Sequence, residues 1–378
     1  MYRRAASFIM PALLKRRIMH GILILVAAVA GCSTSDAIQA DAGRDAAVSN
    51  AAPFNAAPFD IASTQWRAAA AGDDLVLVEA GERVPGKKRQ VAVRLSDGSW
   101  ETLPPVPFDG YVVIASVGDS VALAGIACPD DACSTAKLAI ALLSADRSTW
   151  KQLEVPPTDL TLETELNAAR SPQSVGYFSV GPEAYIVNAD GMVRLSPEFP
   201  PLVGADGFLG CVTSDTVIAV PYRGQSEEGA NGAPTKMSLA GEVALLPLTG
   251  DNPAWVSAGP ATDGVVTRYG DLCLPQGVSI QSGTEAKIFA LTTGEWTTAP
   301  SNITELTGTE ISRTGLGETA VAPDQRTLFM IGQGNALVQT DNGQWADTGQ
   351  PASAVYSTAS TVLAFDPNSG SFVEIWKD

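Results

Sequence analysis

The chain alternates short apolar runs with clusters of Gly, Asp, Ser and Pro, and the alternation recurs in a recognisable form. "PFDIASTQWRAAAAGDDLVLVEAG" at Pro58 to Gly81 lines up with "PFDGYVVIASVGDSVALAGI" at Pro107 to Ile126, each giving a small-residue strand, a Gly-Asp turn and an apolar strand. The turn returns in "VGPEAYIV" at Val180, "TSDTVIAV" at Thr213, "YGDLCL" at Tyr269 and "APDQRTLFMI" at Ala322. A second unit is an apolar strand, a short polar turn and a strand opening on tryptophan. It ends at Trp100, Trp150, Trp255, Trp296 and Trp345, and "MVRLSPEFPPLV" from Met192 to Val203 takes the same place without a tryptophan. Turn residues between apolar runs are a hairpin signal.

These marks fall at a period of about 50 residues, with four antiparallel strands in each, which is the pattern of a β-propeller blade. The fold class expected is all-β, with seven blades at 67–100, 101–150, 151–202, 203–255, 256–296, 297–345 and 346–376. The irregular third and seventh repeats leave six or eight open. The last segment has room for three strands, so an N-terminal strand over 59–66 is expected to complete it and close the ring, removing the exposed edges of an open array. "LTLETELNAAR" reads as one short helix on the rim.

Two families are similar to parts of this pattern. "W-x-x-L-P-x-x-P" from Trp100 resembles kelch repeats, and "AFDPNSGSFVEIW" and "ALTTGEW" resemble quinoprotein-like propeller repeats. The paired glycines and tyrosine of kelch repeats are absent, and the tryptophan of "AFDPNSGSFVEIW" sits two residues later than in the quinoprotein docking motif. The resemblance implies the architecture and no activity.

The N-terminus carries a different signal. Arg3, Arg4, Lys15, Arg16 and Arg17 precede a short apolar run from Ile22 to Ala30, which closes on "VAGC" at Val29 to Cys32. A basic region, an apolar stretch too short to span a bilayer and small residues before a cysteine resemble the bacterial lipoprotein signal. That resemblance implies cleavage after Gly31, a diacylglycerol thioether on Cys32 and a protein held on the extracytoplasmic side of the bacterial cell envelope by its acyl chains. The organisation expected is then a signal over 1–31, a lipidated cysteine with a disordered Ala/Ser/Asp/Asn tether over 32–57, and the propeller over 58–378.

Removing the signal changes the chemistry. The one histidine, His20, leaves with it, so histidine-based triads and histidine metal sites are excluded from the mature chain. Net charge moves from −17 to −22, since the signal takes 5 of 24 Lys/Arg and none of 41 Asp/Glu. Such acidity argues against nucleic acid and against direct adhesion to anionic headgroups, and leaves the lipid as the membrane contact. Of the five cysteines, four remain beside Cys32. In an exported chain they read as two disulfides, Cys128 with Cys133 around "PDDA" and Cys211 with Cys273 as the remaining pair.

No residue set marks a catalytic, metal or cofactor site. In a four-stranded blade the first–second and third–fourth turns share one face, and the second–third loops and inter-blade links share the other. The second set holds the long segments: Arg83 to Arg89, the stapled "CPDDAC" loop, Thr158 to Ser174, Arg223 to Gly241 and Leu274 to Glu285. Candidate binding residues there are Arg83, Lys87, Lys88, Arg89, Asp130, Asp131, Arg223, Glu227 and Glu228. The segment from Arg223 is polar and Gly/Ala-rich and is expected to be a disordered insertion. The expected function is a monomeric, non-enzymatic binding module for an envelope protein or glycan. The alternative is a carboxylate-based glycoside hydrolase or lyase on the same scaffold, which requires two carboxyl groups about 5 to 10 Å apart in the central pocket.

Overall fold

The computed structural model describes residues 65–377 except 82–86, 109, 129–132, 134–135, 157–159, 161–163, 165, 169–173, 181–182, 199–206, 214, 229–233, 251–252, 262–264, 268–270, 275, 283, 308–318 and 340–342. The signal, Cys32, the tether and residues 59–64 of the closing strand expected over 59–66 fall outside these residues, as do Arg83, Asp130 and Asp131.

The strands form seven antiparallel blades. Blade 1 holds β1 (Trp66–Ala71), β2 (Asp74–Glu79), β3 (Val91–Arg94) and β4 (Trp100–Leu103), and blade 2 holds β5 (Val112–Val117), β6 (Ser120–Ala127), β7 (Lys137–Leu143) and β8 (Trp150–Leu153). Blade 3 holds β9 (Leu166–Ala168), β10 (Gly176–Val180), β11 (Glu183–Val187) and β12 (Val193–Leu195). Blade 4 is built on β13 (Gly207–Val212), β14 (Thr216–Glu228), β16 (Glu242–Pro247) and β17 (Val256–Pro260), with β15 (Pro234–Leu239) and β18 (Val265–Thr267) joined to it. Blade 5 is β19 (Asp271–Leu274), β20 (Gly277–Ser282), β21 (Glu285–Ala290) and β22 (Glu295–Pro300). A short helix, α1 (Ile303–Thr307), leads to blade 6, made of β23 (Ala320–Val321), β24 (Leu328–Gly332), β25 (Asn335–Gln339) and β26 (Trp345–Pro351). Among the described residues blade 7 shows β27 (Ala354–Ser357), β28 (Thr361–Asp366) and β29 (Ser371–Lys377).

The inner strands are apolar on both faces because each blade is covered from both sides. In β2, Val76 and Val78 pack with Val112, Ile114 and Leu123 of blade 2, while Leu75 and Leu77 turn the other way to Tyr356, Leu363 and Phe365 of blade 7. Period-2 geometry shares one strand's side chains between two interfaces, so it reads as a continuous apolar run. Every interface has such a cluster. Blade 2 meets blade 3 through Ile126, Phe178 and Tyr185, blade 3 meets blade 4 through Ile186, Val217 and Leu246, and blade 4 meets blade 5 through Ile218, Val278 and Phe289. Leu274 and Ile303 pack with Met330 and Trp345 at the next, and Phe329 with Val355 and Val362 at the sixth. The seventh cluster joins blade 7 to blade 1, where Trp66 sits 5.0 Å from Phe365 and 5.5 Å from Phe372 between ring centroids. The ring is closed by packing. Each fully buried Leu, Val or Phe side chain contributes about 1.5–3 kcal/mol to it.

The tryptophans pack as part of the fold. Trp150 Nε1 donates to the Pro104 carbonyl at 2.7 Å, Trp255 Nε1 to Pro197 at 3.1 Å and Trp296 Nε1 to Pro260 at 3.2 Å. Each acceptor is a proline at the end of the preceding blade's outermost strand, so the indole ties one rim strand to the next. In blade 6, Gln344 Nε2 takes this role on Pro300 at 2.8 Å. There Trp345 is only 3% exposed, and among the described residues its indole N–H has no hydrogen-bond partner.

Four expectations are corrected. Trp66 is the first residue of β1 and pairs with Glu79, so it belongs to blade 1 and not to a closing strand. Leu166–Ala168, inside the expected helix, is the innermost strand of blade 3, and the turn after Val180 therefore joins its second and third strands. Gly277–Ser282, read as part of a loop, is the second strand of blade 5. Its alternating Val278 and Ile280 are both buried, and Gly277 approaches blade backbone so closely that a Cβ there would lie 2.0 Å from the Phe289 oxygen. The segment from Arg223 is not a disordered insertion: β14 runs on past the blade and pairs with β15, from Tyr222 opposite Leu239 to Glu228 opposite Pro234.

Candidate functional site

Antiparallel order puts the loops after the second strand of each blade, and the links between blades, on a single face. Three blades carry long second-to-third connections there: residues 80–90 in blade 1, 128–136 in blade 2 and the β14–β15 arm in blade 4. In blades 5 and 6 the same connection spans residues 283–284 and 333–334. The long second-to-third loops therefore fall in blades 1, 2 and 4.

In blade 1 the basic segment divides into outward and inward parts. Lys87 and Lys88 are exposed, and Lys87 Nζ donates to Glu79 Oε1 at 2.5 Å while the Gln90 N–H reaches Oε2 at 3.3 Å. Partial burial raises the Glu79 pKa, but the Lys87 and Gln90 hydrogen bonds and the charges of Lys87 and Arg89 outweigh it and hold the carboxyl below its ordinary 4.5. Arg89 is turned inward, which corrects its reading as part of an exposed basic loop. It is 5% exposed, and its Nε and Nη2 donate to the carbonyls of Gly110 and Gly81, each at 2.8 Å. It pins the link between blades 1 and 2 against the loop, and Gly110 is required there because a Cβ would lie 1.9 Å from the Ile126 oxygen.

Beside this anchor lies a pair that the sequence reading missed. Arg67, the second residue of β1, donates from Nη2 to the Tyr111 hydroxyl and lies over the ring, Cζ 5.1 Å from its centroid. A lone arginine opening the otherwise apolar "WRAAAA" was the available signal, since a half-buried charge in a propeller's innermost strand needs partners. Lys137, exposed at the start of β7, adds a further cation on the neighbouring blade.

In blade 2, Cys128 and Cys133 form a disulfide with their Cα atoms 4.7 Å apart. Beyond it Ala136 makes an isolated antiparallel bridge to Leu160 in the link to blade 3. In blade 4, Arg223 is exposed at the base of the arm, while Glu227 and Glu228 lie in its outer half with side chains outside the described ones. The arm is backed by β18, whose Val265, Val266 and Thr267 pair with Ser238, Met237 and Lys236. Cys211 and Cys273 lie in β13 and β19, and their side chains also fall outside the described set.

The opposite face is made mostly of turns that satisfy themselves. Arg147 Nη2 pairs with Asp74 Oδ2 at 2.5 Å across blades 1 and 2, and Asp74 Oδ1 accepts the Ser96 N–H at 2.8 Å. Asp146 is brought down to about 2 by the Ser144 hydroxyl and by the Ser148 N–H and hydroxyl. The exception is the 169–175 connection of blade 3, which this topology moves to the turn face although it was expected with the long loops.

Chemically, the elaborated face offers cationic donors and an aromatic hydroxyl on a rigid base. Among the described residues no group of three or more His, Cys, Asp or Glu is placed to hold a metal ion. Of the carboxylates described there, Glu79 is engaged with Lys87, and Glu183 accepts from the Tyr185 hydroxyl at 2.7 Å.

No protein-family model and no curated protein matches the sequence. Among solved structures, the chain is similar to virginiamycin B lyase from Staphylococcus aureus, at 11% identity and a TM-score of 0.49 over 83% of this chain and 94% of that one. It is similar to puromycin hydrolase at 12% identity and 0.46, over 85% of this chain and 57% of that one. Hsv2 from Kluyveromyces lactis follows at 9% identity and 0.40, over 80% and 91%. The chain's own strands establish it as a seven-bladed β-propeller.

Proposed function

We propose that this propeller is a non-enzymatic binding module that engages an envelope protein or glycan through the face bearing the second-to-third loops and the inter-blade links. One observation carries the reading: on that face the fourth blade's loop is a paired arm, β14 with β15, backed by β18 from the following link. An ordered projection costs conformational entropy that a short turn would avoid, and variable connections on a rigid scaffold are where recognition is usually carried. The exposed Lys87, Lys88 and Lys137 stand on the same face.

We place the module at the bacterial cell envelope, anchored through a lipid on Cys32. The "VAGC" segment and its basic flank support this, and no helix among the described residues is long and apolar enough to cross a membrane. The test is affinity capture from detergent-solubilised envelope with the full-length chain, against a variant in which residues 225–236 are replaced by Asn-Gly. Gly224 and Met237 are opposite each other in the hairpin register, so a two-residue turn closes the shortened arm. Recovery of one protein or glycan by the full arm and its loss with the short one is the expected result. Equal recovery by both overturns the role of the arm, and turnover of envelope glycan by the purified chain overturns the non-enzymatic reading.

A further inference from the structure

We infer that the seam between blades 1 and 2 on the loop face binds an acidic polysaccharide, with one carboxylate received by Arg67 and Tyr111 at the inner end and another by Lys88 and Lys137 further out. The inference rests on reading this face as the binding surface, and it names the class of glycan taken there.

The inner end is built by two innermost strands. Arg67 is the second residue of β1, and Tyr111 stands one residue before β5. The guanidinium donates to the Tyr111 oxygen and lies over the ring, Cζ 5.1 Å from its centroid. The phenol's own proton is left to be given elsewhere, and among the described residues nothing accepts it. A permanent cation beside an oriented hydroxyl donor suits a carboxylate.

Strand register carries the seam outward. The Ile126 N–H donates to the Tyr111 carbonyl at 3.2 Å, and the next residue, Ala127, pairs with Lys137. Two strand spacings therefore separate Tyr111 from Lys137, about 10 Å between backbones. On β7, Ala139 and Ala141 pack on the cluster between blades 1 and 2, so Lys137, of the same parity, is turned towards blade 1. Lys88 comes from that blade. Its neighbour Arg89 donates to the Gly110 carbonyl at 2.8 Å, which sets the loop against the residue before Tyr111. Lys88 and Lys137 are exposed, and neither has an ion-pair partner among the described residues, in a chain with 41 Asp/Glu against 24 Lys/Arg. Of the described carboxylates nearby, Glu79 is bound to Lys87, and Glu154, exposed one residue past β8, lies at the outer rim of blade 2.

The chemistry favours a charged sugar chain over a protein. A protein partner's affinity comes mostly from buried apolar and aromatic anchors. The exposed large hydrophobic side chains, Met192, Leu195 and Val256, belong to blades 3 and 4, and the seam offers guanidinium, ammonium and phenol donors instead. The turn face carries exposed Asp73, Asp97, Asp119, Asp146, Asp190 and Asp215, which repel a polyanion and steer it to the loop face.

The test uses the full-length chain in detergent and labelled pentagalacturonate, followed by fluorescence anisotropy. Competitors are unlabelled pentagalacturonate, its methyl ester, polyglutamate and phosphatidylglycerol in mixed micelles. Saturable binding is expected, with the ester at least about tenfold weaker. Lys88→Gln/Lys137→Gln should weaken the probe about tenfold and Tyr111→Phe about threefold, while Asp97→Asn/Asp119→Asn on the turn face leaves it within about twofold. Absence of saturable binding, equal binding of the ester, or an unchanged affinity in the lysine variant overturns the inference. Displacement of the probe by polyglutamate or phosphatidylglycerol at lower concentration than by pentagalacturonate overturns the glycan in favour of an acidic protein or a lipid. If Tyr111→Phe does not fold, the lysine variant, altered only at exposed positions, decides. Envelope capture that depends on the arm but survives Lys88→Gln/Lys137→Gln overturns the seam and leaves the binding module standing.

Discussion

Arg89 carries the same charge as its neighbours Lys87 and Lys88 and does the opposite work. The lysines face solvent, while the guanidinium satisfies the carbonyls of Gly81 and Gly110 in a buried niche. Sequence composition marks all of them as one basic segment. What separates them is the carbonyl positions of a loop and a link that meet only in the fold. A planar group with several fixed donors suits such a place better than an ammonium does. The tryptophans were legible as marks of the repeat, whereas their hydrogen bonds to proline carbonyls were not, because the acceptors belong to the preceding blade. Trp150→Phe is expected to destabilise the protein by about 1–2 kcal/mol through loss of the Pro104 bond and ring area, read from urea unfolding. Retention of the full urea midpoint would show that the bond contributes nothing. Asp146 gives a pH-dependent case. Its folded pKa of about 2 lies below its ordinary 3.8, so its contribution is present above 3.8 and lost as pH falls towards 2. The stability gap between wild type and Asp146→Asn, followed as an unfolding midpoint, should close across that interval and stay constant above it.

At the scale of elements, the blade pattern was readable wherever an apolar strand, a tight turn and a tryptophan followed in order, as in blades 1, 2 and 6. It failed where a blade departs from that order. In blade 3 the innermost strand is only Leu166–Ala168, three residues of the segment expected as a helix that pair with β10 instead. In blade 5 the Gly-Asp at 270–271 was matched to the repeated turn, yet the strand before it pairs with the arm and the blade starts at Asp271. The true second strand, β20, was hidden by its polar alternate positions. Gly277→Ala tests that assignment. A Cβ 2.0 Å from the Phe289 oxygen requires backbone movement inside a ladder, and a loss of about 2–4 kcal/mol is expected. A loop would accept the alanine with little change in the unfolding midpoint.

For the whole molecule, the seven apolar interfaces make the ring a rigid support, and the two faces differ in what they do with their connections. The turn face closes on itself through pairs such as Arg147 with Asp74. The other face sets out an arm, a stapled loop and exposed cations. The propeller class and the existence of an elaborated face followed from repeat period and strand parity, which are properties of the sequence. The partner's nature did not, because recognition depends on residues from different blades meeting in space, as Arg67 and Tyr111 do.

The direct measurement is face-resolved cross-linking in the native envelope. A photoactivatable side chain is placed at Lys88 or Lys137 on the loop face and at Asp97 or Asp119 on the turn face of the full-length chain, all four being exposed positions. The account predicts that Lys88 and Lys137 trap the same partner and that Asp97 and Asp119 trap none. Capture of that partner from the turn face, or from neither face, would contradict it.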